Sequence, residues 1–457
     1  MQKLKSINPS NYQILGLVNC STPREITDKV KLARNVQHEW RDQGIVKRVS
    51  LLRRIFDEFK KRKSELILLE CREVGMPISN AFEDFEDTFD YINWSLDNAE
   101  KYLNPETTFE NDTEIHQLFH EPIGVSGIII PWNFPLANFV WASLQSLIAG
   151  NTVVLKHSEE CPLSGKFIEN ILSHHLPQGV FNEIYGDGET GKLLIQQEIN
   201  LVTFTGSTKT GKSIYKTAGK KFIKTVMELG GSAPGLIFDD ADIEFSVKSI
   251  CNLRLFNTGQ CCDGLKRLIV QEGIFNKLVE NVSSIFSSKK IGNAEEESTE
   301  VGPLVAKRQL ELLIAQVEDA KGKGAQAVTG GNSLEPKMGG AFFEPTVLTA
   351  ITKDMRVWKE EVFGPVLPIV KFKTDEEAIE LANQTTYGLG AYIFTRNTKR
   401  ADNIASLIEA GMVSINNTNY KIPSNPFGGY KNSGFGRING KYGFHEVTQL
   451  KIIAKNK

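Results

Sequence analysis

Four short apolar runs, GVSGIII (124–130), NTVVLK (151–156), FNEIYG (181–186) and NLVTFTG (200–206), are separated mostly by helix-patterned segments. This alternation constrains the fold more than any other feature of the chain. Strands apolar on both faces need cover on both sides of their sheet, and crossover helices supply it when the strands run parallel. The texture returns between about Ser232 and Phe427, where GLIF, RLIV, TVLTAI, VLPIV and MVSIN read as strands. At 457 residues the chain is too long for one compact core, so at least two such units are expected.

The first hundred residues read differently. VSLLRRIFDEFKKRKSELILLE carries apolar residues at three- and four-residue spacing, and EDFEDTFDYINWSLDNAEKYL continues the pattern, which predicts helices. The polar stretch TFENDTEIHQLFHEP (108–122) predicts a hairpin or arm, and EVTQLKIIAKNK a final strand. No charged residue occurs between Glu121 and Lys156, a length sufficient for a membrane span. Pro131, Asn133, Pro135, Asn138 and Gln145 interrupt that segment, so a buried strand-loop-helix is expected and no membrane partner. The net charge of −2 gives no reason to expect nucleic acid. MQKLKSINPS lacks a secretory core, and six dispersed cysteines suit free thiols, so a cytoplasmic location is expected. No cluster of metal-ligand residues stands out, and no metal is expected.

Two glycine-rich turns compete as phosphate sites. GDGETG (186–191) matches G-x-G-x-x-G but encloses two acidic residues, and it reads better as a turn before a helix. FTGSTKTGKSIY (204–215) is better placed. Gly206 permits close backbone approach, Ser207 offers a helix cap, and a helix follows directly.

Seven motifs then occur in one order: PWNFP (131–135), VLKHSE (154–159), FTGSTKTG (204–211), MELGG (227–231), FNTGQCC (256–262), EEVFGP (360–365) and PFGGYKNSGFGR (426–437). Together they resemble the NAD(P)-dependent aldehyde dehydrogenase superfamily, in particular its shorter bacterial members related to succinate-semialdehyde dehydrogenase. The resemblance implies an α/β fold: a doubly wound parallel-sheet cofactor domain, an α/β catalytic domain and a β oligomerisation arm. On that pattern residues 1–107 and 123–229 form the NAD-binding domain and 230–427 the catalytic domain. Residues 108–122 and 428–457 form the arm and C-terminal strand, which implies a homodimer or homotetramer.

The same resemblance assigns roles. Cys262, two positions after Gln260, is the nucleophile, and Cys261 fills a variable position. A thiolate adding to an aldehyde produces an oxyanion, assigned to the Asn133 amide and the Cys262 N–H. Glu228, 34 residues before Cys262, is the base that activates water against the thioester. Its presence favours hydrolysis to a free acid over transfer to coenzyme A. Lys156 and Glu159 match ligands of the adenosine ribose, and Gly206 and Ser207 the phosphate turn. Glu361 matches the nicotinamide-ribose ligand, and Phe363 lies near the nicotinamide. A carboxylate at Glu159 favours NAD over NADP, though NADP stays possible.

Arginines that bind a distal carboxylate in semialdehyde enzymes are replaced here by Trp141 and Phe256. With Phe134 and Phe427 these predict an aromatic funnel for an apolar aliphatic or aromatic aldehyde. Succinate semialdehyde is the alternative substrate, and a non-enzymatic binding role the alternative of another class. The chain departs from the family pattern at Asp263, which would raise the pKa of the neighbouring thiol if it pointed inward, and at Lys209 and Ile438.

Overall fold

A computed structural model describes residues 2–457. Four helices, Pro23–Asp42, Ile45–Lys61, Lys63–Val74 and Ile78–Leu103, precede the first parallel strand. The first starts with a capping box: the Thr22 hydroxyl accepts from the Glu25 N–H, and the Glu25 carboxylate accepts from the Thr22 N–H at 2.6 Å.

A six-stranded sheet follows, in the order Gly434–Phe435, Lys224–Glu228, Leu201–Thr205, Val125–Ile129, Thr152–Lys156 and Phe181–Glu183. All of its pairings are parallel except the first. Val125–Ile129 and Thr152–Lys156 are buried along their whole lengths, and the helix between them, Pro135–Ala149, is buried at almost every position. The charge-free segment is therefore the centre of this layer. No helix among the described residues is long and apolar enough to cross a membrane.

The second sheet has seven strands, in the order Gln326–Thr329, Thr346–Thr349, Val366–Phe372, Leu265–Gln271, Ala233–Ile237, Gly390–Phe394 and Met412–Ile415. It is parallel apart from its Gln326–Thr329 edge. Glu106–Glu110, Glu114–Pro122 and Thr448–Asn456 make a separate antiparallel sheet. Residues 428–447, expected to belong with that arm, lie elsewhere. Gly434–Phe435 pairs antiparallel with Met227 and Glu228, and Gly440–Glu446 is a helix.

Only glycine fits at that edge. Gly434 has φ +121°, and a Cβ there would stand 1.8 Å from the Met227 carbonyl oxygen. Gly434→Ala is expected to destabilise the fold by about 1–3 kcal/mol from backbone strain alone. A lowered urea midpoint checks this, with Gly219→Ala as control, because Gly219 has open space around its α-carbon.

Candidate functional site

In the first sheet, the C-terminal ends of Val125–Ile129, Leu201–Thr205 and Lys224–Glu228 converge on one cavity of about 550 Å³. The second sheet reaches it chiefly through residues that precede its strands Leu265–Gln271 and Val366–Phe372. Ligands of open parallel sheets bind at such ends. Asn133, Phe134, Gly206, Ser207, Cys262, Glu361 and Phe363 all line it.

The segment that delivers Cys262 is strained. After the helix Ile243–Leu255, Asn257 (φ 47°), Thr258 (φ 56°) and Gly259 (φ 76°) are left-handed in succession. Such geometry costs non-glycine residues roughly 1–3 kcal/mol each and persists only where neighbours overdetermine it. They do so here. Asn257 Nδ2 donates to the Asn133 carbonyl at 2.7 Å, and its N–H donates to Asn80 Oδ1 at 3.1 Å. The Thr258 hydroxyl accepts from the Gly302 N–H at 2.9 Å, and Gln260 Oε1 from the Val305 N–H at 2.9 Å. Asn133 Nδ2 returns a hydrogen bond to the Gln260 carbonyl at 3.1 Å. An amide nitrogen carries two hydrogens, so this bond leaves one for a ligand.

The adjacent cysteines differ in role. Cys261 is buried, and its thiol donates to Asp263 Oδ1 at 3.0 Å. Cys262 is half-buried and has no hydrogen-bonded partner for its sulfur among the described residues. Burial pushes the Cys262 thiol well above its ordinary pKa, and Asp263 adds to the rise. Asp263 is held by the Tyr420 hydroxyl at 3.1 Å and the Lys421 ammonium at 3.5 Å. Burial alone would raise its own pKa, but Lys421 and the hydrogen bonds outweigh that and hold it below the usual value.

Glu228 ends the strand Lys224–Glu228. It is buried, with no partner for either carboxylate oxygen, and it is absent from the cavity lining. A Cβ on Gly428 would stand 2.7 Å from Glu228 Oε1. Its carboxylate thus lies beside the residue after Phe427, which does line the cavity. Burial holds its pKa well above the carboxylate range, and Arg437 opposes the rise.

Gly206 and Ser207 stand where the sequence pattern puts a phosphate turn. A Cβ on Gly206 would meet the Phe204 ring at 2.6 Å, and the Ser207 hydroxyl caps the helix Thr208–Lys220. The open N-terminus of this helix suits an anion. GDGETG instead forms a turn and a helix cap, in which Asp187 Oδ1 accepts from the Glu189 N–H at 2.9 Å. Lys156 is buried and donates to the His157 carbonyl at 3.0 Å, with Glu159 at 3.4 Å, but neither lines the main cavity. Glu361 accepts from the Gly231 N–H at 3.0 Å and pairs with Lys266. Lys266 also donates to the carbonyls of Gly231 at 2.9 Å and Cys262 at 2.8 Å. Phe363 meets Trp132 edge-on at 5.6 Å between ring centres.

All four expected funnel aromatics line the cavity. Phe134 stacks on Phe256 at 6.0 Å, and Trp141 lies 5.0 Å from Phe427. Sequence reasoning missed Lys266, Tyr420, Lys421 and the acidic residues Glu83, Asp84 and Asp87, all beside or lining this space. Lys266 falls inside an ordinary strand pattern, and the acids inside an ordinary amphipathic helix.

The model of the "Aldehyde dehydrogenase family" matches residues 1–453. An aldehyde dehydrogenase of Emericella nidulans is 37% identical over 453 residues, covering 98% of this chain and 90% of its own length. A mitochondrial succinate-semialdehyde dehydrogenase of Oryza sativa is 36% identical, covering 98% and 85% respectively. A crystal structure of betaine aldehyde dehydrogenase from Staphylococcus aureus in complex with NAD+ superposes with TM-score 0.95 at 32% identity, covering 99% of this chain and 91% of that one.

The charge on Asp263 should be felt at the Cys262 sulfur. In a Cys261→Ala background, Asp263→Asn is expected to speed iodoacetamide alkylation of Cys262 at pH 8 by about three- to tenfold. Mass spectrometry of the peptide carrying Cys262 measures it, and an unchanged rate would mean that the carboxylate does not reach the thiol.

Proposed function

The chain belongs to the aldehyde dehydrogenase family, and on that premise we propose that it oxidises an aldehyde to a carboxylic acid with NAD, through Cys262. One observation carries this reading: a half-buried, unpartnered Cys262 opens on the cavity where Asn133, the Gly206–Ser207 turn and Glu361 converge.

In this reading the Cys262 sulfur adds to the aldehyde carbon, and the free hydrogen of the Asn133 amide and the Cys262 N–H receive the oxyanion. A nicotinamide cofactor, when bound, would supply the acceptor for the hydride, whose loss from the adduct would leave a thioester on Cys262. Glu228 then takes a proton from a water molecule as the water oxygen adds to the thioester carbon; the carbon–sulfur bond breaks, the carboxylic acid leaves, and Cys262 is released as its thiolate. That step requires the Glu228 carboxylate to turn past Gly428 into the cavity, and its lack of hydrogen-bonded partners leaves it free to turn. Gly206, Ser207, Glu361 and Phe363 would hold the cofactor, with Lys266 fixing Glu361 relative to the Cys262 carbonyl. Lys156 and Glu159 would take the adenosine ribose, with NADP as the less favoured alternative.

The aromatic quartet favours an apolar body next to the carbonyl, aliphatic or aromatic. Succinate semialdehyde is disfavoured, because Trp141 and Phe256 stand where its carboxylate would need arginine. Exposed Leu450, Ile452 and Ile453 on Thr448–Asn456 suit pairing of the arm with another subunit, in a homodimer or homotetramer. Six free cysteines suit a reducing cytoplasm.

Initial rates of reduced-cofactor formation test the reading, with NAD and NADP each supplied against hexanal, benzaldehyde and succinate semialdehyde. Hexanal or benzaldehyde with NAD is the expected preference, and Cys262→Ala is the expected blank. Glu228→Gln should release about one reduced cofactor per site and then turn over roughly a hundredfold slower or worse. The base works as its carboxylate, and burial raises its pKa. Steady-state turnover should therefore still be climbing with pH above the ordinary carboxylate range, and this climb should vanish in Glu228→Gln.

A further inference from the structure

Glu361 and Phe363 both reach the cavity from a segment, 361–363, that belongs to no helix or strand. Such a segment has no backbone ladder to fix it, so its carbonyls need partners from elsewhere. Buried side chains from two other elements supply them. Gln316, on the helix Lys307–Gly322, donates to the Glu361 carbonyl at 3.1 Å. Arg254, in the last turn of Ile243–Leu255, donates to the Val362 carbonyl at 3.1 Å and also to the Gly364 carbonyl.

Arg254 is fully buried, does not line the cavity, and has no carboxylate paired with it among the described residues. A guanidinium without a counter-ion is costly to bury. Here carbonyls alone answer it: Val362, Gly364 and, at 3.4 Å, Leu265. The first two flank Phe363, and the third opens the strand that follows Cys262. The backbone of Arg254 leads into the left-handed turn of Asn257 and Thr258. A Cβ on Gly259 would meet the carbonyls of both Arg254 and Gly364. Arg254 thus joins the Phe363 segment to the segment that delivers Cys262. Lys266 cannot replace it, because its three donors already serve Glu361 and the carbonyls of Gly231 and Cys262.

We infer that Arg254 is a positioning residue for hydride transfer: by holding the carbonyls on either side of Phe363, it sets where the nicotinamide riboside of the cofactor lies relative to Cys262. This rests on the dehydrogenase reading above and adds to it a residue that touches neither cofactor nor aldehyde. The residues proposed above for the adenosine ribose and the phosphates, Lys156, Glu159, Gly206 and Ser207, lie on or after strands of the first sheet. The helix of Arg254 instead connects Ala233–Ile237 to Leu265–Gln271 in the second. Loss of the guanidinium should therefore be felt at one half of the cofactor only.

Calorimetric titration of the full chain with NAD, and with ADP, which lacks the nicotinamide riboside, reads the two halves separately. Arg254→Met should weaken NAD binding about tenfold and leave ADP within about twofold of wild type. Arg254→Lys keeps a cation that can reach one carbonyl and should lose only about threefold for NAD, again with ADP unchanged. It carries the test if Arg254→Met does not fold. At saturating NAD, the first turnover of reduced cofactor should slow about tenfold in Arg254→Met, while KM for the aldehyde stays close to wild type. Equal losses for NAD and ADP, or no loss for NAD, would mean that Arg254 serves the fold alone; either result overturns the inference and leaves the dehydrogenase reading intact. If wild type neither binds NAD nor reduces it with any aldehyde, the dehydrogenase reading fails and the role of Arg254 falls with it.

Discussion

The left-handed run Asn257–Thr258–Gly259 is the constraint on which the rest of the site depends. Asn257 and Thr258 sit in a conformation disfavoured for residues with a Cβ, so this turn persists only while its clamps hold. Those clamps come from separate places: Asn80 from the helical N-terminal region, Asn133 from the first sheet, and Gly302 and Val305 from the second half of the chain. Gly259 completes the turn, because a Cβ there would stand 2.4 Å from the Gly364 carbonyl oxygen. The Cys262 loop is thus a joint between the two sheets, and its strain is shared by the packing that sets them together. Asn133 serves this joint twice, accepting at its carbonyl and donating from its amide to Gln260. Its side-chain oxygen also accepts from Asn138 Nδ2 at 3.1 Å, so both ends of the amide are held in place.

Burial dominates the electrostatics, and the polar groups around the site correct it selectively. Glu228 and the Cys262 thiol are both shifted upward, chiefly by loss of water. Asp263 is equally buried yet stays below its usual value, because Lys421, Cys261 and Tyr420 all engage it. Burial therefore favours the uncharged forms of Cys262 and Glu228, while its partners hold Asp263 as the carboxylate. Lys266 performs a related task on the other side of Cys262, where one ammonium ties Glu361 to the carbonyls of Gly231 and Cys262.

The sheets were legible in the sequence because burial on both faces leaves long apolar runs, as in GVSGIII and NTVVLK. The site turns were legible because glycine and asparagine concentrate where backbone approach is close. The two-residue strand Gly434–Phe435 was not. It has too few residues for any periodicity, and it is set by the edge it meets at Met227 and Glu228. Direction was also hidden. MELGG marks Glu228 in a sequence, but only packing shows its carboxylate beside Gly428 and outside the cavity lining. Asp263 looked like a liability to its neighbour because nothing in the sequence connects it with Lys421, 158 residues later.

Glu83, Asp84 and Asp87 expose the same limit most sharply. In EDFEDTFDYINW they resemble the solvated face of an amphipathic helix, which is the ordinary meaning of such spacing. The helix Ile78–Leu103, however, packs across the helix Pro135–Ala149, and Tyr91 meets Trp141 there. That crossing buries Asp84 at the cavity wall, where an unpaired carboxylate is costly, and leaves Glu83 and Asp87 exposed at the rim. Burial answers that cost in part by pushing the Asp84 pKa up to about 7, so this carboxyl is far easier to protonate than one on a solvated helix face.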